Sequence, residues 1–160
     1  MIVAGEPSGD LYGAHIARET ISRSSGISFF GIGGPRMREA GVDTLVDCAE
    51  MAVVGVVEVL AHAGVIWRAF RRMEKILKTD PPDLLLIIDY PDFNLRLADK
   101  AKKAGVKVLF FISPSVWAWR PGRVKKIGRV VDHMAVIFPF EVPYYERESV
   151  PVTFVGHPLL

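Results

Sequence analysis

Short apolar runs alternate with amphipathic stretches along this chain. Met1–Ala4 reads as a strand opening straight into Gly5-Glu6-Pro7-Ser8-Gly9-Asp10, and a helix is predicted from Leu11 to about Ser22. Ile27–Phe30 predicts a second strand, ahead of Gly31-Ile32-Gly33-Gly34-Pro35, and Thr44–Val46 a third. Helical periodicity fills much of 55–78 and stops at Pro81-Pro82. The stretch 83–88, Asp-Leu-Leu-Leu-Ile-Ile, is then almost unbroken in its apolar character, the pattern of a strand buried on both faces of a parallel sheet. A helix over about Leu95–Ala104 closes at Gly105, Val106–Ile112 is another buried strand, and Arg123–Val130 a short helix. Ala135–Phe138 and Val152–Val155 complete the series. Buried strands alternating with helices predict an α/β fold, a Rossmann-like doubly wound parallel sheet.

At 160 residues the chain holds one such domain and is too short for two. Half of it is hydrophobic and 24% charged, which excludes a disordered chain, and the net charge of +2 is small. Cys48 is the only cysteine, so no internal disulfide can form, as suits a reducing cytoplasm. The start carries no basic segment followed by a long apolar one, so no signal peptide is expected. The greasiest stretch, Met51 to Phe70, is broken by Glu58, His62 and Arg68, which excludes a spanning helix but not a surface contact. Domain 1–155 is expected to lead into a linker at 156–160, because Gly156-His157-Pro158-Leu159-Leu160 follows a strand and leads nowhere, as in a chain cut short.

In an open parallel sheet, ligands sit at the carboxyl ends of the strands. Four segments follow predicted strands and should converge there: Gly5–Asp10, Gly31–Met37, Asp89–Asn94 and Ser113–Arg120. The first places two glycines and a hydroxyl at a helix start, where unpaired N–H groups can hold an anion or sugar hydroxyls. It is also what a tight turn with Ser8 or Asp10 as N-cap would look like. No Gly-Lys-Ser/Thr follows, so it is not a P-loop. Gly31-Ile32-Gly33-Gly34-Pro35-Arg36-Met37 matches a dinucleotide fingerprint only loosely, since its last glycine is misplaced and Pro35 interrupts the expected helix entry.

Asp89-Tyr90-Pro91-Asp92-Phe93-Asn94 carries the clearest chemistry. An apolar strand delivers Asp89 to its carboxyl end, where partial burial would raise its pKa toward that of a general base. Asp92 or Asn94 could instead cap the next helix, and two aspartates can hold a divalent metal, although no third ligand stands nearby. In Ser113-Pro114-Ser115-Val116-Trp117-Ala118-Trp119-Arg120, indole faces suit sugar rings and Arg120 a phosphate; the alternative is two indoles packed under a loop.

Two basic groups remain. Arg120, Arg123, Lys125, Lys126 and Arg129 have no acidic residue among them, which fits a solvated helix face or an anionic ligand or lipid surface. At about 100° per residue, Val65, Ile66, Ala69, Phe70, Met73, Ile76 and Leu77 share one face of the helix at 65–78. Arg68, Arg71, Arg72, Lys75 and Lys78 share the other with Trp67, opposed only by Glu74. Tryptophan among arginines suits a membrane interface; an ordinary core helix with an exposed indole would show the same pattern.

Together these segments resemble lipid-A-disaccharide synthase, in the family's order and from end to end. The resemblance rests on 4–10, Gly33–Met37, Met51–Leu60, Asp89–Asn94, Ser113–Arg120, Lys126–Arg129, Phe138–Glu141 and Phe154–His157; Pro7 and Val54 are its minor departures. It implies the N-terminal, acceptor-binding half of a GT-B-type inverting glycosyltransferase, two Rossmann-like domains across a cleft. Such an enzyme transfers 2,3-diacylglucosamine from UDP-2,3-diacylglucosamine to 2,3-diacylglucosamine 1-phosphate (lipid X), giving a β-1,6 disaccharide and UDP. The donor is held mainly by a C-terminal domain outside this chain. The implied catalytic residue is Asp89, acting as base on the acceptor hydroxyl. The implied substrate-binding set is Gly5, Glu6, Ser8, Gly9, Asp10, Asn94, Ser113, Ser115, Trp117, Trp119, Arg120, Arg123 and His157. Trp67, Arg68, Arg71, Arg72 and Lys75 would touch the anionic inner-membrane surface from the cytoplasmic side, as a peripheral protein. No cofactor, metal or nucleic acid is implied, and a homodimer of the full-length enzyme stays open. The rival readings are another GT-B-type sugar-nucleotide enzyme and a non-catalytic membrane-associated module; a nucleic-acid binder lacks any recognised motif.

Overall fold

A computed structural model of the chain describes residues 1–51, 58–114 and 122–158, the side chains of 58–62 and 123 excepted. Its strands are β1 (Ile2–Ala4), β2 (Phe30–Gly33), β3 (Asp43–Asp47), β4 (Leu84–Ile88), β5 (Lys107–Phe111), β6 (His133–Val136) and β7 (Val152–Phe154). The helices are α1 (Pro7–Arg23), α2 (Pro35–Glu39), α3 (Glu58–Thr79), α4 (Pro91–Lys103), α5 (Arg123–Val130) and α6 (Val142–Glu146). All the strand pairs are parallel, in the order β3-β2-β1-β4-β5-β6-β7. This is the doubly wound Rossmann-like arrangement the alternation of elements predicts, with its strand order reversing between β1 and β4.

The apolar run of β4 shows why the sheet is covered on both sides. Leu85 and Ile87 belong to a core shared with Val3, Phe110 and the inner residues of α3, α4, α5 and α6. Leu86 and Ile88 join Ile2 and Ala4 against Ala14 and Ala17 of α1 and Met37 of α2. Alternate side chains of one strand thus serve opposite layers, so the run has no polar position to reveal a solvent face.

Several boundaries differ from those predicted. Helices α1, α2 and α4 each begin with a proline, four residues earlier than expected for α1 and α4. Proline fits the first helical position because its missing N–H would have no intrahelical partner there and its φ is already helical. Ser8 and Asp10 therefore lie inside α1, whose N-cap is Glu6, and Asp92 and Asn94 lie inside α4, whose N-cap is Tyr90; none of the four is a cap. Strand β2 is displaced by three residues onto Phe30-Gly31-Ile32-Gly33, so these glycines are strand rather than loop. Gly31 sits at φ +150°, and a Cβ there would lie 2.0 Å from the Ile2 carbonyl oxygen, so β1 and β2 could not pair as they do around any other residue. Strand β6 likewise covers His133–Val136, leaving Ile137 and Phe138 to the turn after it. The short helices α2 and α6 were not foreseen.

Candidate functional site

The reversal of strand order brings the β1–α1 and β4–α4 turns side by side at the carboxyl edge. Their contact is close: a Cβ on Gly5 would stand 2.4 Å from Cδ1 of the Tyr90 ring, so only glycine lets that ring lie against the first turn. The start of α1 there has no side-chain cap, and Glu6 and Ser8 are exposed. Its first-turn N–H groups keep the donor capacity that a helix N-terminus offers an anion or a hydroxyl.

Opposite them the backbone is strained. Asp89 and Tyr90 both have φ of +46°, consecutive left-handed residues that cost roughly 1–2 kcal/mol each and persist only where the surroundings impose them. Asn94 imposes them. Completely buried, it donates from Nδ2 to the carbonyl oxygens of Ile88 at 3.2 Å and Asp89 at 2.7 Å, while its own N–H donates to Tyr90 O at 3.1 Å. The Asp89 N–H donates across to Phe111 O of β5 at 3.2 Å. Asn94 thus braces the turn from within. Its Oδ1 is buried without a hydrogen-bond partner among the described residues.

Asp89 itself is half-buried, and burial pushes its carboxyl above the ordinary carboxylate value, against the opposing effect of the Tyr90 N–H. A carboxylate reluctant to stay charged, on a fixed backbone at a strand end, has the attributes of a proton acceptor. Tyr90 and the first turn of α4 form one end of a cleft of about 880 Å³ between α3 and α4. Ile66, Trp67, Phe70 and Phe93 give it apolar walls, while Glu6, Asp92, Arg71, Arg96 and Lys100 supply charge at its rim. Phe70 meets Phe93 edge-on at 5.6 Å across its floor.

The remaining expected residues divide. Asp10 is buried, and its carboxylate accepts from Gly34 N at 2.6 Å, Met37 N at 3.0 Å and Arg36 N at 3.1 Å. These are the N–H groups at the start of α2 that a dinucleotide phosphate would need, so the glycine segment 31–37 already holds an anion of the protein's own. The Asp10 carboxylate thus ties α1 to the start of α2. Gly9 packs against Ala4, beneath the turn. Ser113 is also turned inward: its Oγ lies 2.9 Å from Pro114 O and shares a hydrogen bond with the Tyr145 hydroxyl at 2.6 Å. Burial pushes the Tyr145 hydroxyl up to about 12. His157 is half-buried with its ring 5.7 Å from that of Phe138, which stacks on Phe140 at 5.4 Å. Ser115, Trp117, Trp119 and Arg120 lie outside the described residues, as does the side chain of Arg123.

On α3 the exposed face carries Trp67, 62% exposed, with Arg68, Arg71, Arg72 and Lys75. Two of these cations also have internal partners: the Arg71 guanidinium lies 5.6 Å over the Trp67 ring, and Arg72 Nη1 donates to Leu45 O at 2.6 Å. Glu74 does not oppose them from the surface. It is buried and meets Lys78 at 3.0 Å, Lys100 of α4 at 3.1 Å and Arg71 at 3.4 Å. Lys78 and Lys100 hold its carboxyl below the usual range. Among the described residues no helix is long and apolar enough to cross a membrane.

Sequence reasoning missed Tyr90, Arg96 and Lys100. The i, i+4 series Asp92, Arg96, Lys100 was a usable signal, since it places all three on one face of α4. It also missed Ile112, a β-branched residue at φ +68° just past β5, and the buried Glu141, whose Oε2 accepts from Phe138 N at 3.0 Å. Nothing in local composition points to either.

Comparison with known proteins fits this geometry. The family model for lipid-A-disaccharide synthetase matches residues 1–160. Over 99% of this chain, lipid-A-disaccharide synthases of Geobacter sulfurreducens and Trichlorobacter lovleyi are each 69% identical, and that of Geobacter metallireducens 65%. The chain spans 41–42% of the length of these relatives. A match from the first residue to the last, at these identities and on this sheet, means that the chain belongs to the lipid-A-disaccharide synthetase family.

Proposed function

We propose that this chain is the acceptor-binding half of a GT-B-type glycosyltransferase that joins UDP-2,3-diacylglucosamine to 2,3-diacylglucosamine 1-phosphate, with Asp89 taking the proton of the acceptor's 6-hydroxyl. The observation that carries this reading is the braced, left-handed Asp89–Tyr90 turn at the strand-order reversal, with a burial-raised carboxyl on the residue before Tyr90, which lines an amphipathic cleft. Strain concentrated at one edge of a sheet is a feature of reactive sites. A diacylated sugar phosphate needs apolar wall, cationic rim and hydroxyl-binding donors together. The α3–α4 cleft, which reaches Tyr90 and Glu6, and the uncapped start of α1 supply these. As the hydroxyl oxygen attacks the donor's anomeric carbon, UDP departs and the proton passes to Asp89.

The donor belongs mainly to the part of the relatives beyond this chain. The 160 residues alone should therefore bind acceptor without releasing UDP, since orientation of both substrates contributes roughly 7–11 kcal/mol to such a reaction. Asp89→Asn in the full-length protein should lower UDP release by about 10²–10⁴-fold with acceptor affinity little changed, the scale of lost base catalysis. Parental turnover by that variant would sink the assignment. The exposed Trp67, Arg68, Arg71 and Lys75 support peripheral attachment to an anionic cytoplasmic membrane surface, where the acylated substrates reside.

A further inference from the structure

A second groove, of about 550 Å³, lies between α4 and α5. Phe70, Leu95 and Val130 give it an apolar floor, and four cations border it: Arg96 and Lys100 from α4, Lys126 and Arg129 from α5. Among the described residues that line it, the carboxylate is Asp99, held by Lys103 at 2.7 Å, and Lys100 is held by Glu74 at 3.1 Å. Arg96, Lys126 and Arg129 are exposed and make no ion pair among the described residues. Three cations around one small depression give it a positive potential that favours an anion placed between them.

We propose that this groove, which adjoins the substrate cleft and shares Phe70, Arg96 and Lys100 with it, is a binding site for the phosphate of an anionic membrane phospholipid, held chiefly by Lys126 and Arg129 of its own. Charge selects the phosphate. The floor selects a lipid over a free ion, because inorganic phosphate has nothing to offer Phe70, Leu95 and Val130, whereas a glycerol backbone with the first carbons of its chains covers them. Position agrees: α3, α4 and α5 pack on the same face of the sheet, so the groove opens on the side that bears Trp67. The inference rests on the peripheral-membrane reading above and adds a discrete lipid site to it.

Co-sedimentation of the 160-residue protein with phosphatidylcholine vesicles, with and without phosphatidylglycerol, tests it. Three charge-matched variants are compared: Lys126→Gln/Arg129→Gln in the groove, Arg68→Gln/Arg71→Gln on α3, and Arg18→Gln/Arg23→Gln on the opposite face. The groove variant should lose roughly 30-fold in affinity for the phosphatidylglycerol vesicles, at about 1 kcal/mol per cation. Its weaker binding to pure phosphatidylcholine should be unchanged, and the opposite-face variant should lose less than about 3-fold. Millimolar inorganic phosphate should not displace the protein from vesicles. Parental binding by the groove variant, with binding lost only in the α3 variant, overturns the lipid site and leaves the membrane reading standing. Equal losses in the groove and opposite-face variants reduce the effect to net charge and overturn the site as well. Absence of vesicle binding by the parent overturns both readings.

Discussion

Asp10 separates a ligand-binding interpretation of the first turn from a structural one, because the two predict opposite things. Its carboxylate receives three backbone N–H groups at 2.6, 3.0 and 3.1 Å at the start of α2. Hydrogen bonds to a charged group are worth about 1.5–3 kcal/mol each, but the three share one carboxylate, so their sum overstates the loss. Removing one side of a buried charged interaction costs about 3–5 kcal/mol, a fair expectation for Asp10→Ala. Asp10→Asn keeps one carbonyl oxygen for the Gly34 and Met37 donors but turns an NH₂ toward Arg36 N–H, so about 1–3 kcal/mol is expected. For a domain of this size each kcal/mol moves Tm by about 2–4 °C, so the alanine variant should melt roughly 6–20 °C below the parent. Urea titration of both variants with circular dichroism gives the free energies, and acceptor affinity is measured beside it under conditions where each is folded. The reasoning is refuted if Asp10→Ala costs under about 1 kcal/mol yet abolishes acceptor binding, since the carboxylate would then face the ligand.

Other expectations follow from single positions. Gly31→Ala sets a Cβ against the Ile2 carbonyl oxygen at a φ few side chains adopt, and should cost at least about 3 kcal/mol or abolish soluble expression; a melting curve near the parent's would contradict the close approach. Cys48 is buried and its thiol is pushed up to about 11, by desolvation first and then by Asp10 and Asp47. At pH 8 about a thousandth is thiolate, so labelling with a disulfide reagent should be slow in the native protein and fast in urea. Because burial raises the Asp89 carboxyl above 3.8, the folded state favours its proton, and that contribution is present in acid and lost as pH rises through the raised value. Asp89→Asn should therefore be more stable than the parent at pH 7, with the gap closing toward pH 3.8; a less stable variant at neutral pH would contradict the burial argument. Replacing Asn94 with alanine should release the strained turn, lowering turnover of the full-length protein along with its stability, whereas Asp92→Asn should leave both nearer the parent.

The doubly wound sheet was legible because its strands are apolar on both faces, and 83–88 or 106–112 admit few other readings in a chain of this composition. Helix starts were less legible because Pro7 and Pro91 read as turn residues, although proline at the first helical position begins a helix. The position of Asp89 at a strand end could be read from sequence, since it depends on a neighbouring run of five apolar residues. The roles of Asp10 and Asn94 could not. A carboxylate or amide beside glycines looks the same in sequence whether it faces solvent or the N–H groups of a segment 24 residues away. Only the packing of α1 against α2, or of α4 beneath its own turn, decides between them. The same limit explains Glu74, which periodicity leaves among its basic neighbours and which a lysine from another helix draws inward.

The place of β1 between β2 and β4 sets the order in which this molecule can be made. Strand β1 is made long before β4, yet β4 is its hydrogen-bonded neighbour on one side, with Ile2 opposite Leu86. On a ribosome adding about 5–20 residues per second, the first strand waits several seconds for that partner to be synthesised, paired on one edge with β2 alone. Its other edge, flanked by the apolar Ile2 and Val3, is for that interval an invitation to wrong partners. A fold whose β1–β4 edge joins strands so far apart in the chain therefore acquires that edge late, in a single long-range closure. Its nascent form is most in need of protection before Leu84–Ile88 has emerged.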